Sequence, residues 1–246
     1  MHKLLIAVPA YGGLSLPTHV SLLHAHQHTA DLYTAHFTYG QTSALPFNFN
    51  RLLQVAYQSD FTHFLMMHSD IGLKNPLWVP EMFKIQVEEA VPVLSATVAI
   101  KSAEGLTSVA VDTREHFPRR LTLKEIHDGP ETLTNEKCKR LYGSRLLINT
   151  GVMLWDLRVM RQHIPNLAFE FKDCWVNVTG QNGPSIEPSF FPEDWLMSRK
   201  LDDLGIPYAT TRALETIHIG NAEYPSGHAW GNWETDKQWL DTQGKY

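Results

Sequence analysis

Three short polar stretches carry the residue types that acid–base or metal chemistry needs. His68-Ser69-Asp70 stands directly behind the apolar run "FLMM", Glu193-Asp194 lies in "FFPEDWLMSRKLDDLGI", and His218 sits between isoleucines in "ETIHIGNAEYP". A carboxylate at a strand end can hold a hard divalent cation, and such a cation can bridge the phosphates of a nucleotide. Ser69-Asp70-Ile71-Gly72 is equally a turn sequence, and on this stretch alone both readings satisfy the same local rules. Glu193 and Asp194 fall in the first turn of a helix expected from Pro192 to about Leu204. Acids there complement the helix dipole, worth about 0.3–1 kcal/mol. With Met197 and Leu201 on its side of the helix, Asp194 also falls at the rim of the buried face, where a carboxylate can act as a general base. His218 fits either a hydrogen-bonded core position or a metal ligand. His19, His24, His26 and His28 are denser in sequence, but the stretch lacks the glutamate of HExxH and reads as solvated.

The elements around these residues alternate. "KLLIAVPAYGG" reads as a buried strand opening into a loop, Leu16 to about Ala30 as a helix with Leu22 and Leu23 inward, and "DLYTAHFTYG" as a second strand. "NRLLQVAYQS" is helical, "THFLMM" is a strand ending at the His68 triplet, "PLWVPEMFKIQVEEA" is helical and "VPVLSATVAI" is a buried strand. This alternation predicts a parallel sheet with covering helices. Residues 101–145 read as an excursion that shapes a pocket, "RLLINTGVMLWDLR" as strand interrupted at Asn149-Thr150-Gly151, and 177–188 as a polar, glycine-rich loop.

Composition narrows the classes of function. The 246 residues are 43% hydrophobic and 19% charged, with a formal charge of −5, so no broad basic field is present to hold nucleic acid by charge. Cys138 and Cys174 show no CxxC spacing, which points to a reducing compartment without a disulfide framework or structural zinc. The apolar run Leu4–Ala10 is too short for a membrane span and reads as a strand, so a soluble, cytoplasmic protein is expected. In that setting the sequon Asn177-Val178-Thr179 carries no glycan.

Taken in order, "IAVPAYGG", "FNFNRLLQVAYQSDFTHFLMMHSDIG", "LLINTGVMLWDLR", "PEDWLMSRKLDDLGI" and "HIG" resemble a nucleotide-sugar glycosyltransferase of the GT-A fold, family 2-like with some likeness to family 8. The resemblance covers most of the chain. It implies an α/β fold with a Rossmann-type mixed, mostly parallel sheet flanked by helices. The chain would be a single domain over 1–246, with 1–100 binding the nucleotide sugar and 101–246 binding the acceptor and completing the metal site. By this likeness Pro9, Ala10 and Tyr11 lie near the nucleotide base, Asn50 and Arg51 face the donor, and His68 and Ser69 stand beside Asp70. Asp70 would bind Mn²⁺ or Mg²⁺ with the donor diphosphate, His218 would help from the opposite side, and Asp194, or else Glu193, would deprotonate the acceptor hydroxyl of an inverting enzyme. A UDP-sugar is the favoured donor; the acceptor is a glycan, a protein or a modified nucleic-acid base. The sequence departs from the family where His68 replaces the first aspartate of the Asp-x-Asp motif, exchanging a hard oxygen ligand for imidazole.

Two other classes compete. A nucleotidyltransferase would use the same sheet and metal but attack phosphorus; it usually needs an early glycine- and lysine-rich phosphate loop, and "PAYGGLSLPTH" holds no lysine. A non-catalytic carbohydrate-binding protein is suggested by Trp230, Trp233 and Trp239, whose rings either stack on sugar or pack a terminal segment onto the domain.

Overall fold

A computed structural model describes residues 2–10, 12–28, 33–40, 44–113, 118–164, 166–170, 172–180 and 183–233, with the backbone alone for 33–36, 173–180 and 183–190. Along the chain, β1 (His2–Pro9), α1 (Leu16–Gln27), β2 (Tyr33–Gly40), α2 (Leu45–Gln58) and β3 (His63–Met67) alternate as their hydrophobic periods predict. Then come β4 (Ile71–Leu73), α3 (Trp78–Glu88) and β5 (Val93–Ala96). The stretch expected as an excursion contains β6 (Leu106–Asp112), β7 (Arg119–Thr122), α4 (Leu123–Asp128), β8 (Thr132–Thr134) and α5 (Asn135–Tyr142). The remainder holds β9 (Arg145–Leu147), β10 (Val152–Asp156), α6 (Leu157–Met160), β11 (Lys172–Gly180), β12 (Gly183–Phe191), α7 (Glu193–Asp203), β13 (Tyr208–Thr211), β14 (Thr216–Ile219) and β15 (Glu223–Pro225).

Seven strands form one sheet in the order β2-β1-β3-β10-β5-β13-β8. The β1–β2, β1–β3 and β5–β13 pairs are parallel, whereas β10 runs against β3 and β5, and β8 against β13. Five of the seven strands therefore share one direction, so the expected mixed, mostly parallel sheet is present. Side-chain alternation along a strand divides the core between the two faces. Leu5 and Ala7 of β1 and Phe64 and Met66 of β3 pack with Phe49, Leu52, Leu53 and Ala56 of α2. Leu4, Ile6, Val8, Leu65 and Met67 pack on the other face with Leu22 and Ala25 of α1 and Trp78, Val79 and Met82 of α3. Burying each large apolar side chain contributes about 1.5–3 kcal/mol, which fixes strand register as firmly as the backbone ladder does.

Three expectations need correction. Leu23 is 59% exposed while Leu22 is buried, because the inward face of α1 runs through Thr18, Ser21, Leu22 and Ala25 and a neighbour one residue on turns away. Residues 177–180 and 183–188 are strand rather than loop: β11 and β12 pair antiparallel from Lys172↔Phe191 to Gly180↔Gly183, and 181–182 lie outside the described residues. Pro192 is the N-cap of α7 and Glu193 its first residue, one position later than the sequence suggests. The interruption expected in "RLLINTGVMLWDLR" is present, and it separates strands of different sheets: β9 lies beside β6 and β10 lies in the central sheet, followed by the short α6. Asn149 makes the break: its amide donates to Ala96 O at 2.9 Å and its side-chain oxygen accepts from Gly151 N at 2.9 Å, turning the chain back on itself.

Cys138 is a buried free thiol, and burial pushes its pKa up to about 12. No helix among the described residues is long and apolar enough to cross a membrane.

The close approach of β4 to the start of α1 is testable. A Cβ on Gly72 would lie 2.5 Å from Pro17 Cβ and 3.1 Å from the Pro17 carbonyl carbon, so backbone has to move. Gly72→Ala should cost about 1–3 kcal/mol, read as a lower urea midpoint at unchanged slope; an unshifted midpoint would mean that the α1–β4 contact yields freely.

Candidate functional site

Parallel strands deliver their chemistry at their carboxyl ends, most readily where successive crossovers leave on opposite sides. Here β1 lies between β2 and β3, so that point falls between the ends of β1 and β3. The ladder Leu4↔His63 to Ala7↔Met66, continued two residues, sets Pro9 beside His68. Because β10 runs the opposite way, its entry residues Asn149-Thr150-Gly151 lie at the same edge, as does the chain leaving β5 towards Lys101.

His68 is bound into this edge. Its amide donates to Gly151 O at 2.8 Å, its Nε2 pairs with Thr150 Oγ1 at 3.2 Å, and its ring stacks on Phe49 at 5.7 Å. Burial lowers its pKa to about 4, helped by the charges of His218 and Lys101 and opposed by Asp70. The ring is therefore neutral near pH 7 and already committed to Thr150. Ser69 serves the backbone: its carbonyl accepts from Ser15 N at 2.8 Å and Thr18 Oγ1 at 3.0 Å, which clamps the segment to the start of α1.

Asp70 meets His218 because of a ladder. β4 pairs antiparallel with β14, matching Ile71 with His218, and Ile219 N donates to Asp70 O at 2.8 Å. The carboxylate then faces the imidazole, with His218 Nε2 3.6 Å from Asp70 Oδ2. His218 Nδ1 donates to Ala99 O at 2.8 Å, which turns Nε2 towards Asp70. Lys101 also pairs with Asp70 Oδ2, each side chain about one-third exposed. Burial alone would raise the Asp70 pKa, but hydrogen bonds from His218 and Lys101 hold it below the usual carboxylate range.

Lys101 was not among the residues singled out by sequence. A lysine just past an apolar run reads as ordinary surface charge, and only the turn over 100–106, with Ile100 N donating to Leu106 O at 2.9 Å, brings it to Asp70. Among the described residues no group of three or more His, Cys, Asp or Glu side chains gathers as metal ligands. Asp70 and His218 converge, His68 is turned to Thr150, and an ammonium sits on the carboxylate; a hard ion that takes about six ligands is not provided for by this set alone.

Glu193 and Asp194 are placed by α7. That helix returns the chain to the start of β13, so it runs against the parallel strands and its first turn lies at their carboxyl edge. Ser198 Oγ accepts from Ile148 N at 2.9 Å and donates to Asp194 O at 2.9 Å, which sets Asp194 about one helical pitch, ~5.4 Å, beyond Ile148. Burial, then the adjacent Glu193, pushes the Asp194 pKa up to about 8 against the pull of Arg120. Burial raises Glu193 as well.

The other sequence candidates are spread out. Pro9 and Ala10 stand at the end of β1, where Ala10 N donates to Gly40 O at 2.8 Å; Tyr11 lies outside the described residues. The Asn50 amide is occupied by Phe169, donating to its carbonyl at 2.8 Å and accepting from its N–H at 2.7 Å. Arg51 lines a separate cavity of about 670 Å³ with Phe47, Tyr57 and Ile164. Trp230 packs on Tyr224 with rings 6.0 Å apart and donates to Pro225 O at 2.6 Å, the packing role rather than an open sugar platform; Trp239 lies outside the described residues.

No family model matches the chain, and no curated protein matches it. Among solved structures, A197 from STIV aligns over 89% of this chain and 86% of its own at 13% identity, with a TM-score of 0.54. A CMP:2-keto-3-deoxy-manno-octonic acid synthetase complexed with CTP aligns over 85% and 88% at 16% identity, with a TM-score of 0.39, too low to carry an argument. The likeness to the first is one of fold, and the strand order above is that of a Rossmann-like mixed α/β sheet.

The buried acids give a stability test. A group whose folded pKa lies above its unfolded one favours the fold at low pH and loses that contribution as pH rises through the folded value. Asp194→Asn keeps the oxygen that accepts from Trp195 N at 2.8 Å. Its urea midpoint relative to wild type should therefore rise between about pH 4 and about pH 8.5. A constant difference across that range would contradict a raised Asp194 pKa.

Proposed function

We propose that the protein transfers a sugar from a nucleoside-diphosphate donor, a UDP-sugar being favoured, to an acceptor hydroxyl. One observation carries this reading: Asp70, His218 and Lys101 meet at the crossover point between β1 and β3, the place where open α/β sheets receive phosphorylated ligands. In this reading the base lies against Pro9 and Ala10 and the diphosphate lies at the Asp70 corner. The acceptor approaches from the side of α7.

The reaction breaks the bond between the sugar's anomeric carbon and the β-phosphate oxygen, and the electron pair leaves with the nucleoside diphosphate. The acceptor oxygen forms the new bond to that carbon and gives its proton to Asp194. Charge develops on the leaving diphosphate, so positive groups fixed at that corner stabilise the transition state more than the ground state. Asp194 suits the proton's destination because its raised pKa lies nearer to that of a hydroxyl under attack than an ordinary aspartate's does. Mn²⁺ or Mg²⁺, implied by the resemblance, would have Asp70 and His218 as protein ligands and would supply positive charge to the diphosphate.

Transfer at phosphorus by a nucleotidyltransferase would use the same corner and is separated by product: it releases pyrophosphate, whereas sugar transfer releases a nucleoside diphosphate. Incubation with a panel of nucleotide sugars, with and without Mn²⁺, should yield nucleoside diphosphate from at least one donor. Asp70→Ala should weaken that donor's binding about tenfold or more, as expected on losing the carboxylate that fixes the Lys101 ammonium at the diphosphate corner. Asp194→Asn should slow transfer by about 10²–10⁴ with donor affinity changed less than about threefold, and the wild-type rate should climb towards about pH 8 as the base ionises. If no nucleotide sugar binds or is hydrolysed under any metal condition, the proposal is wrong.

A further inference from the structure

We infer that Lys101 is the site's own cation: anchored on Asp70, it takes the negative charge of the leaving diphosphate, a role that the family resemblance gives to a divalent metal. This inference rests on the sugar-transfer reading above and adds to it the group that neutralises the donor.

The geometry supports it in three ways. Lys101 shares Asp70 Oδ2 with His218, so the carboxylate that would ligate a metal is already neutralised by an ammonium. An ammonium has three N–H donors; the pair with Asp70 uses one and leaves the others to reach phosphate oxygens. His68, which stands where the resemblance expects the first acid of the motif, is bonded to Thr150 and stacked on Phe49. The change from acid to imidazole removes one negative charge from the corner, which weakens its hold on a divalent ion and matches a single positive side chain.

The lysine is also held in place by construction. Its stem passes over Gly220, where a Cβ would lie 2.9 Å from Lys101 Cδ, so glycine leaves the space the side chain uses. Its turn is pinned from outside by the segment after β15. Asn232 N donates to Ala103 O at 3.2 Å, and a Cβ on Gly105 would lie 1.6 Å from Trp230 O, so the two backbones cross in direct contact. Gly105 and Gly231 both have positive φ, +69° and +97°, conformations that side-chain-bearing residues rarely adopt. The tryptophan-rich segment therefore braces the turn that carries Lys101.

In the transfer step the bond from the anomeric carbon to the β-phosphate oxygen breaks, its electron pair stays on that oxygen, and Lys101 hydrogen-bonds the charge without giving up its proton. The acceptor's proton goes to Asp194, so the lysine ends the step as it began.

Calorimetric titration with UDP, GDP, ADP, CDP and pyrophosphate, in EDTA and in Mn²⁺, tests this on wild type, Lys101→Met and Lys101→Arg. The side chain is exposed enough that folding is not at risk, and circular dichroism checks it. Wild type should bind one of these diphosphates in EDTA, with Mn²⁺ changing the affinity less than about threefold. Lys101→Met should bind at least about 20-fold more weakly and Lys101→Arg within about fivefold, since arginine keeps the charge. Mn²⁺ alone should bind Lys101→Met more tightly than wild type, because the variant frees Asp70. If wild type binds diphosphates only with Mn²⁺ and Lys101→Met binds as well as wild type, Lys101 is a surface ion pair and the inference fails while sugar transfer stands. If no diphosphate binds in either condition, both readings fail.

Discussion

The turn Asn149-Thr150-Gly151 ties together the parts on which the site depends. Ser95 of β5 donates to Asn149 O at 2.8 Å, the Asn149 amide holds Ala96 O and Gly151 N, and Gly151 O receives the His68 amide. Thr150 holds the His68 ring, and Ile148, one residue earlier, is bound by Ser198 of α7. Gly151 leaves no room for a side chain, since a Cβ there would lie 2.6 Å from Ile71 Cδ1 and 2.8 Å from Asn149 Oδ1. A single buried turn thus sets the spacing between the strand end at His68 and the helix that carries Asp194. The side-chain polar groups of Asn149 and Thr150 are all paired, as low-dielectric surroundings demand.

Around that turn, charge is divided in a way that suits group transfer. The Asp70 corner is kept ionised by Lys101 and His218, while burial raises the Asp194 pKa to about 8, so that near neutral pH part of it is ionised and able to take a proton. Carboxylic acids pushed in opposite directions take opposite roles, one fixing cations and the other exchanging a proton. A turn or a helix start chosen for stability alone needs neither shift. Acids in a helix's first turn favour the dipole when ionised, yet Glu193 is buried and Asp194 half-buried in surroundings that disfavour ionisation, a cost that a purely structural sequence would avoid.

Much of this was legible in the sequence where one local rule dominated. Apolar runs gave β1, β3 and β5, and helical spacing gave α2, α3 and α7, because burial on both faces of the sheet decides those segments. The hairpin β11–β12 was misread since its glycines and prolines mask a strand pair when no partner is known. The meeting of Asp70 with His218 depends on the β4–β14 ladder, which joins segments far apart in sequence and leaves no local trace. Lys101 escaped notice for the same reason, and Asn50, singled out by resemblance, spends its amide on Phe169.

In the proposed function a diphosphate sits at the Asp70–His218–Lys101 corner. A crystal structure of the protein soaked with the tightest-binding nucleoside diphosphate tests it most directly. Phosphate oxygens should lie within hydrogen-bond distance of Lys101 Nζ, with the base against Pro9 and Ala10. A nucleotide bound elsewhere, as in the cavity beside Arg51, with the Lys101–Asp70 pair untouched, would contradict it.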